Sequence, residues 1–275
     1  MRLPPLLVLA VLGAARPAAS EPASELPQAV GLSRAEAFAF RQAASAPLPK
    51  AAPRPMPIPA GSALSMVREQ ELLPGIYHLN FPTQHLLTST FLRFQEYYES
   101  PRFRGKVFTL EEFMDWYAQA QGKKGNFTYF TDWSGFNIPS KVFAPFRAGK
   151  FDPLTTKEAA LVELFRGVPE PFYVIGTFGK NGDPATLHHE IAHGLYTTQP
   201  GYRARVDAIL KTADLRPLFE RLRKMGYDDS VVPDEAQAYL NESDPDKDLL
   251  GPEHKRYDGV RKLLRAAFRD YAPGY

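Results

Sequence analysis

Apolar residues along the chain follow two spacings, one typical of helices and one typical of buried strands. Between Phe81 and Tyr98 they recur every three or four positions, which predicts a helix with one buried face. Residues 172–178 instead form a nearly continuous run of apolar, strand-favouring side chains. Together with the helices described next, this pattern predicts an α+β fold that is predominantly helical and contains a small sheet.

Local capping signals predict further helices. Thr109 and Thr155 are each followed three positions later by a glutamate, the capping-box pattern that starts a helix. These helices are expected to run to about Ala120 and Arg166. Further helices are expected over residues 202–213, 215–225 and 253–271.

An aromatic-rich stretch lies between the two capped helices. Residues 127–130 read Phe-Thr-Tyr-Phe, which predicts a short strand because aromatic and β-branched side chains favour extended backbone. Residues 133–139 contain Gly135, Asn137 and Pro139, which predict a turn. A strand followed by a turn is therefore expected here.

The best-signalled helix begins near residue 184. Asp183 is a favourable N-cap, and Pro184 suits the first helical position. Apolar residues then recur at every fourth position and predict a stripe that faces the core, formed by Leu187, Ile191 and Leu195.

A different face of this helix carries candidate metal ligands. His189, Glu190 and His193 spell H-E-x-x-H, and on a helix the two histidines project from one face with Glu190 beside them. Two neutral imidazoles at this spacing can ligate one Zn²⁺ and leave a position for water. A carboxylate next to a ligand can take a proton from that water as the water attacks a carbonyl. The motif predicts a metal-dependent hydrolytic site.

The H-E-x-x-H segment resembles the active-site helix of the zincin metallopeptidases. The way a zincin supplies its third ligand varies between groups. The metzincin extension would place Gly at position 196 and His at 199, but this chain has Tyr196 and Gln199. A second helix, expected over residues 232–240, carries Glu235 in its first turn. The resemblance therefore implies a gluzincin-like zinc site in which Glu235 joins the two histidines of the motif.

The resemblance covers residues 184–242, and the chain departs from the best-known gluzincin pattern at two positions. Asp234 stands where that pattern has asparagine, and it remains the alternative third ligand. Tyr239 stands where the pattern has an aspartate, so another acid or a backbone carbonyl must orient the zinc histidine. Tyr239 shares a helical face with Glu235, from which its hydroxyl can donate to a developing oxyanion. A half-buried core tyrosine is the other interpretation.

The activity implied by the resemblance is zinc-dependent hydrolysis of a peptide or protein substrate. Glu190 would be the general base, Tyr239 a second catalytic residue, and residues 127–146 the upper rim of the cleft. An aromatic core strand and its turn is the other interpretation of residues 127–146. Two alternatives remain open. One is a zinc-binding envelope protein without peptide turnover, and the other is a latent protease that processes itself.

The N-terminal composition predicts export. Residues 1–20 combine Arg2 with an apolar run and small residues, which is typical of a secretory signal peptide. Residues 21–65 include six prolines between positions 46 and 60, which predict an extended linker or a pro-segment. The metallopeptidase domain is then expected over residues 66–275. No later stretch is long enough for a membrane span, so we expect a secreted or periplasmic protein.

Cysteine content and charge exclude several classes of protein. The chain has no cysteine, which excludes disulfides and thiolate zinc ligands. Beyond residue 20, basic and acidic residues balance at 31 each. This balance gives no electrostatic support for binding to nucleic acid or to an anionic membrane.

Overall fold

A computed structural model describes residues 58–100, 102–120, 123–179, 184–242, 247–252 and 254–275. The predicted signal peptide and most of the proline-rich segment lie outside these residues, as does Asp183. Leu64 is already buried in the core. The packed part of the chain therefore extends slightly upstream of residue 66.

Four strands form one mixed sheet. They are β1 (Arg68–Leu73), β2 (Ile76–Phe81), β3 (Gly135–Pro139) and β4 (Tyr173–Phe178). Their order across the sheet is β1-β2-β4-β3, with β2 and β4 parallel and the two outer pairs antiparallel. Because alternate side chains of a strand point to opposite faces, the two central strands contribute to a hydrophobic cluster on each side.

The first hydrophobic cluster is rich in aromatic side chains and draws on the helices that precede β4. These are α1 (Gln84–Glu99), α2 (Leu110–Gln119), α3 (Tyr129–Asp132), α4 (Phe143–Arg147) and α5 (Thr156–Leu164), with a 3₁₀ turn at Ser140–Val142. The predicted capping boxes are present at both Thr109 and Thr155.

The second hydrophobic cluster draws on the helices that follow β4. These are α6 (Pro184–Thr198), α7 (Pro200–Leu210), α8 (Arg216–Lys224), α9 (Val232–Asn241), α10 (Lys247–Leu250) and α11 (Asp258–Tyr271), with a 3₁₀ turn at His254–Tyr257. The fold is α+β, with more helix than strand, as the sequence predicted. No helix within the described ranges is long and apolar enough to cross a membrane.

The predicted strand over residues 127–130 is wrong. Tyr129 begins a short helix, and its ring packs against those of Phe113 and Tyr117. The strand lies instead at the predicted turn, where Asn137 pairs with Ile175 at the edge of the sheet. Tertiary packing of the aromatic rings therefore outweighs local strand propensity.

The long helix upstream begins later than its apolar pattern predicted. Phe81 is the last residue of β2, and Thr83 caps α1 through a hydrogen bond that its side chain accepts from the Leu86 backbone N–H. The polar cap ends the strand and starts the helix within three residues. The expected helix is present from Gln84 to Glu99.

Close contact with the sheet fixes the position of the motif helix α6. A Cβ placed on Gly194 would lie 2.9 Å from the Ile76 Cδ1 atom, so the glycine allows α6 to approach β2. Ile191 and Leu195 are buried and Leu187 is partly buried, as the apolar stripe predicted. The histidines consequently project away from this packed face.

Candidate metal centre

Helices α6 and α9 bring the three predicted metal ligands together. One ligand atom from each of His189, His193 and Glu235 lies within 4.8 Å of the others. The two histidine Nε2 atoms are 3.1 Å apart, and the His193 Nε2 atom is 3.7 Å from the Glu235 Oε2 atom. Two nitrogens and one carboxylate oxygen thus face a common point.

The other ring nitrogen of each histidine faces a carboxylate. The His189 Nδ1 atom lies 2.8 Å from the Glu242 Oε1 atom, and the His193 Nδ1 atom lies 3.0 Å from the Asp234 Oδ1 atom. Carboxylates at these positions hold the rings so that both Nε2 atoms point inward. Asp234, the alternative ligand, therefore contacts the outer nitrogen of His193 and lies behind the ring.

The electrostatics of this cluster favour positive charge. Burial lowers the pKa of His193, but the carboxylates of Asp234 and Glu235 outweigh burial and hold that pKa well above its usual range. Burial raises the pKa of Glu235, although His193 and His189 oppose the increase. The buried acids therefore need a nearby cation, which is supplied either by protonated imidazole or by a bound metal ion.

Glu190, the predicted general base, is buried beside the cluster and lines the same cleft. The Asn137 side-chain amide donates a hydrogen bond of 2.6 Å to the Glu190 Oε2 atom. Asn137 belongs to the edge strand β3, and sequence reasoning assigned it only to a turn. The amide fixes one carboxylate oxygen and leaves the other available to accept a proton.

Two tyrosine hydroxyls lie at the edge of the cluster. The Tyr239 ring packs edge-on against His189 at a centroid distance of 4.8 Å. Its hydroxyl is 3.2 Å from the hydroxyl of Tyr227, a residue that the sequence did not single out. Burial and the nearby Glu235 raise the pKa of Tyr239. The hydroxyl therefore stays protonated at neutral pH and remains a hydrogen-bond donor.

One cleft of about 740 Å³, which includes space open to solvent, is lined by the three candidate ligands, by Glu190 and by the two tyrosines. Its remaining walls come from the C-terminal end of α1, from an aromatic group around α3 and from β3. These walls are lined by Gln95, Glu96, Glu99, Ser100, Tyr129, Trp133, Gly135, Phe136 and Asn137.

Two histidines outside the motif, His188 and His78, have other partners. The His188 Nε2 atom is 3.0 Å from the Asn241 side-chain nitrogen, and its ring packs on Phe268. The His78 Nε2 atom is 2.7 Å from the Thr177 hydroxyl. His188 therefore lies away from the candidate ligands, as expected for the immediate neighbour of His189 on a helix.

Sequence reasoning missed Glu242 as a histidine partner. It follows the last residue of α9 and lies seven positions beyond Glu235, which places it close to the same helical face. That spacing was the available signal.

Neither the protein-family models, nor the curated proteins, nor the solved structures include a significant match to this chain.

Proposed function

We propose that this chain is a zinc-dependent peptidase with a gluzincin-like site on a zincin-like fold. His189, His193 and Glu235 are the metal ligands, and Glu190 is the general base. The observation that carries the proposal is the convergence of three inward-facing ligand atoms next to a buried carboxylate, all within one open cleft. The N-terminal signal pattern adds that the enzyme acts outside the cytoplasm.

The donor set and its spacing suit zinc. Ligands bound at roughly 2.0–2.1 Å in tetrahedral geometry lie about 3.3 Å from one another. The separations of 3.1 Å between the His189 and His193 nitrogens and 3.7 Å between His193 and Glu235 bracket that value, and all three ligand atoms lie within 4.8 Å of one another. A site of two histidines and one carboxylate also suits iron. An adjacent base on the same helix is what a hydrolytic zinc site requires.

The cleft residues next to the proposed ligands have distinct tasks in peptide hydrolysis. A bound zinc ion would lower the pKa of a water molecule and polarise the scissile carbonyl. Glu190 accepts the proton of the attacking water and passes it to the leaving nitrogen, while Asn137 holds the carboxylate in place. One hydroxyl of the Tyr227–Tyr239 pair donates to the other, which leaves one free O–H of the pair as a donor for the oxyanion that develops on the carbonyl oxygen.

Cleavage of a diverse peptide library tests this function. Wild type and Glu190→Gln are loaded to equal zinc content, and products are identified by mass spectrometry. We expect wild type to cleave and the variant to lose at least about 100-fold in rate, since a general base contributes roughly 10²–10⁴-fold. Equal cleavage by both proteins would exclude Glu190 as the base. Absence of cleavage in zinc-loaded wild type would favour a non-catalytic zinc protein.

A further inference from the structure

The C-terminal end of α1 forms a wall of the cleft that the proposed hydrolysis does not use. Glu96 and Glu99 lie there one turn apart, next to Gln95 and Ser100. Glu96 is buried and Glu99 is half-buried. The Gln95 side-chain amide donates a hydrogen bond of 2.7 Å to the Glu99 Oε2 atom.

The two carboxyl groups of this wall have no lysine or arginine partner among the described residues, and the cationic side chain that acts on Glu99 is His193 of the metal centre. Among the described residues that line the cleft, none is lysine or arginine. The last turn of α1 contains no basic residue, although its carbonyl end carries partial negative charge. Elsewhere on the same helix, Arg93 pairs with the buried Glu158 at 2.5 Å. Glu96 and Glu99 have no such ion pair within the described part of the chain.

Unpartnered polar atoms at the same wall point independently to a ligand. Tyr129 is fully buried and lines the cleft, and its hydroxyl, which interacts with Glu96, has no partner at hydrogen-bond distance among the described residues. The Gln95 Oε1 atom is also buried, and no described residue donates to it. Buried polar groups are normally satisfied, so a bound molecule with hydrogen-bond donors accounts for the unsatisfied oxygens.

We propose that this wall is a subsite that binds a cationic group of the substrate, an alkylammonium or a guanidinium, beside the metal centre. Glu96 and Glu99 accept its hydrogen bonds, with the Gln95 and Tyr129 oxygens as further acceptors. The rings of Trp133 and its aromatic neighbours pack along the apolar stem of the cationic side chain. The inference rests on the proposed peptidase function and specifies its substrate class.

The charge environment is consistent with this assignment. Burial, followed by repulsion from Glu235, raises the pKa of Glu99 to about 8. Burial also raises the pKa of Glu96 to about 7. A cation bound between these side chains would remove part of the cost of ionising them.

Binding of short blocked peptides tests the subsite separately from turnover. The full chain carrying Glu190→Gln is loaded with zinc and titrated with three probes by calorimetry. Acetyl-Ala-Arg-Ala-amide places a cation on the side chain, and unblocked Ala-norleucine-Ala-amide places it on the α-amine. Acetyl-Ala-norleucine-Ala-amide is the neutral reference. The same titrations are repeated with Glu99→Gln, with Glu96→Gln and with the exposed control Glu111→Gln.

We expect one cationic probe to bind at least about tenfold more tightly than the neutral reference, the scale of a charged hydrogen bond. Glu99→Gln should reduce this preference to less than about threefold, whereas Glu111→Gln should keep it. The arginine probe identifies a side-chain subsite, and the unblocked probe identifies a subsite for the substrate N-terminus. Equal binding of all three probes, or a preference that survives both Glu96→Gln and Glu99→Gln, would overturn the inference. A cation preference without any library cleavage would refute the peptidase and leave the subsite standing.

Discussion

At the scale of single residues, the geometry of the metal centre depends on the acids behind its histidines. Asp234 and Glu242 each contact the outer nitrogen of one ring. We predict that Asp234→Asn and Glu242→Gln each weaken zinc binding by about 10–100-fold, because the rings lose their orientation and some of their basicity. Competition with a chelating dye measures the change. The exposed control Asp115→Asn should bind zinc normally, and unchanged affinity in both test variants would show that these acids do not support the site.

Glu96 makes stability depend on pH. Its raised pKa, about 7, means that the folded state holds a proton that the unfolded state releases above its ordinary pKa of 4.5. Stability from this residue is therefore fully present below pH 4.5 and is lost as the pH rises through about 7.

We predict that Glu96→Gln becomes more stable relative to wild type between pH 5 and pH 8, by up to roughly 3 kcal/mol. Urea unfolding of metal-free proteins across this pH range measures the difference. A constant difference at all pH values would mean that Glu96 titrates normally.

The residues of the site differ in how far sequence could identify them. His189, Glu190 and His193 are close in sequence, so helical periodicity alone places them together. Glu235 needed the additional family resemblance. Asn137 and Glu99 lie about 50 and 90 residues upstream of the H-E-x-x-H motif. Only tertiary packing brings them to the cleft. No local sequence pattern predicts that these side chains lie next to the motif helix.

At the scale of elements, a buried ion pair joins α1 to α5. The Arg93 guanidinium contacts both Glu158 oxygens and also donates to the Phe151 and Pro153 carbonyl oxygens. Glu158 additionally completes the capping box with Thr155. This one side chain therefore supports both the start of α5 and its attachment to α1.

We predict that Glu158→Gln lowers the free energy of unfolding by about 3–5 kcal/mol, because it leaves the Arg93 charge buried without its partner. Urea denaturation measures the loss. Glu163→Gln, on the exposed side of the same helix, is the matched control and should change stability by less than about 1 kcal/mol. Similar stability in the two variants would contradict a structural role for the pair.

Helices with local signals and the apolar strand β4 were predicted well, whereas β1, β2 and β3 were not. Capping boxes specify α2 and α5 from a few adjacent residues. The β1–β2 hairpin has no such signal, since β1 is partly exposed and polar. Strand β3 contains Gly135 and Pro139 and is stabilised by pairing with β4 at the edge of the sheet. Its position depends on contacts that a local window does not contain.

At the scale of the whole molecule, the candidate metal centre lies where the two hydrophobic clusters meet. Helices α6 and α9 pack in one cluster and supply the proposed ligands, while α1 and β3 pack in the other and complete the cleft. A metal ion held here links two distant segments of the second cluster, the motif helix and α9. Folding and metal binding should therefore be coupled.

We predict that zinc raises the melting temperature and that chelation reverses the rise. At zinc concentrations 100-fold above the dissociation constant, the stabilisation is about 2.7 kcal/mol. For a domain of this size it corresponds to a shift of roughly 5–10 °C. Differential scanning calorimetry measures the shift, and His189→Gln should abolish it. An equal shift in His189→Gln would place the stabilising zinc elsewhere.

The zinc content per chain tests the proposed metal centre directly. It is determined by mass spectrometry of the metal in purified wild type, Glu235→Ala and His188→Ala after removal of loosely bound ions. We expect close to one zinc in wild type and in His188→Ala, because His188 lies away from the cluster. Glu235→Ala should lose most of its zinc. Full zinc retention in Glu235→Ala, or no zinc in folded wild type after loading, would contradict the proposed metal centre.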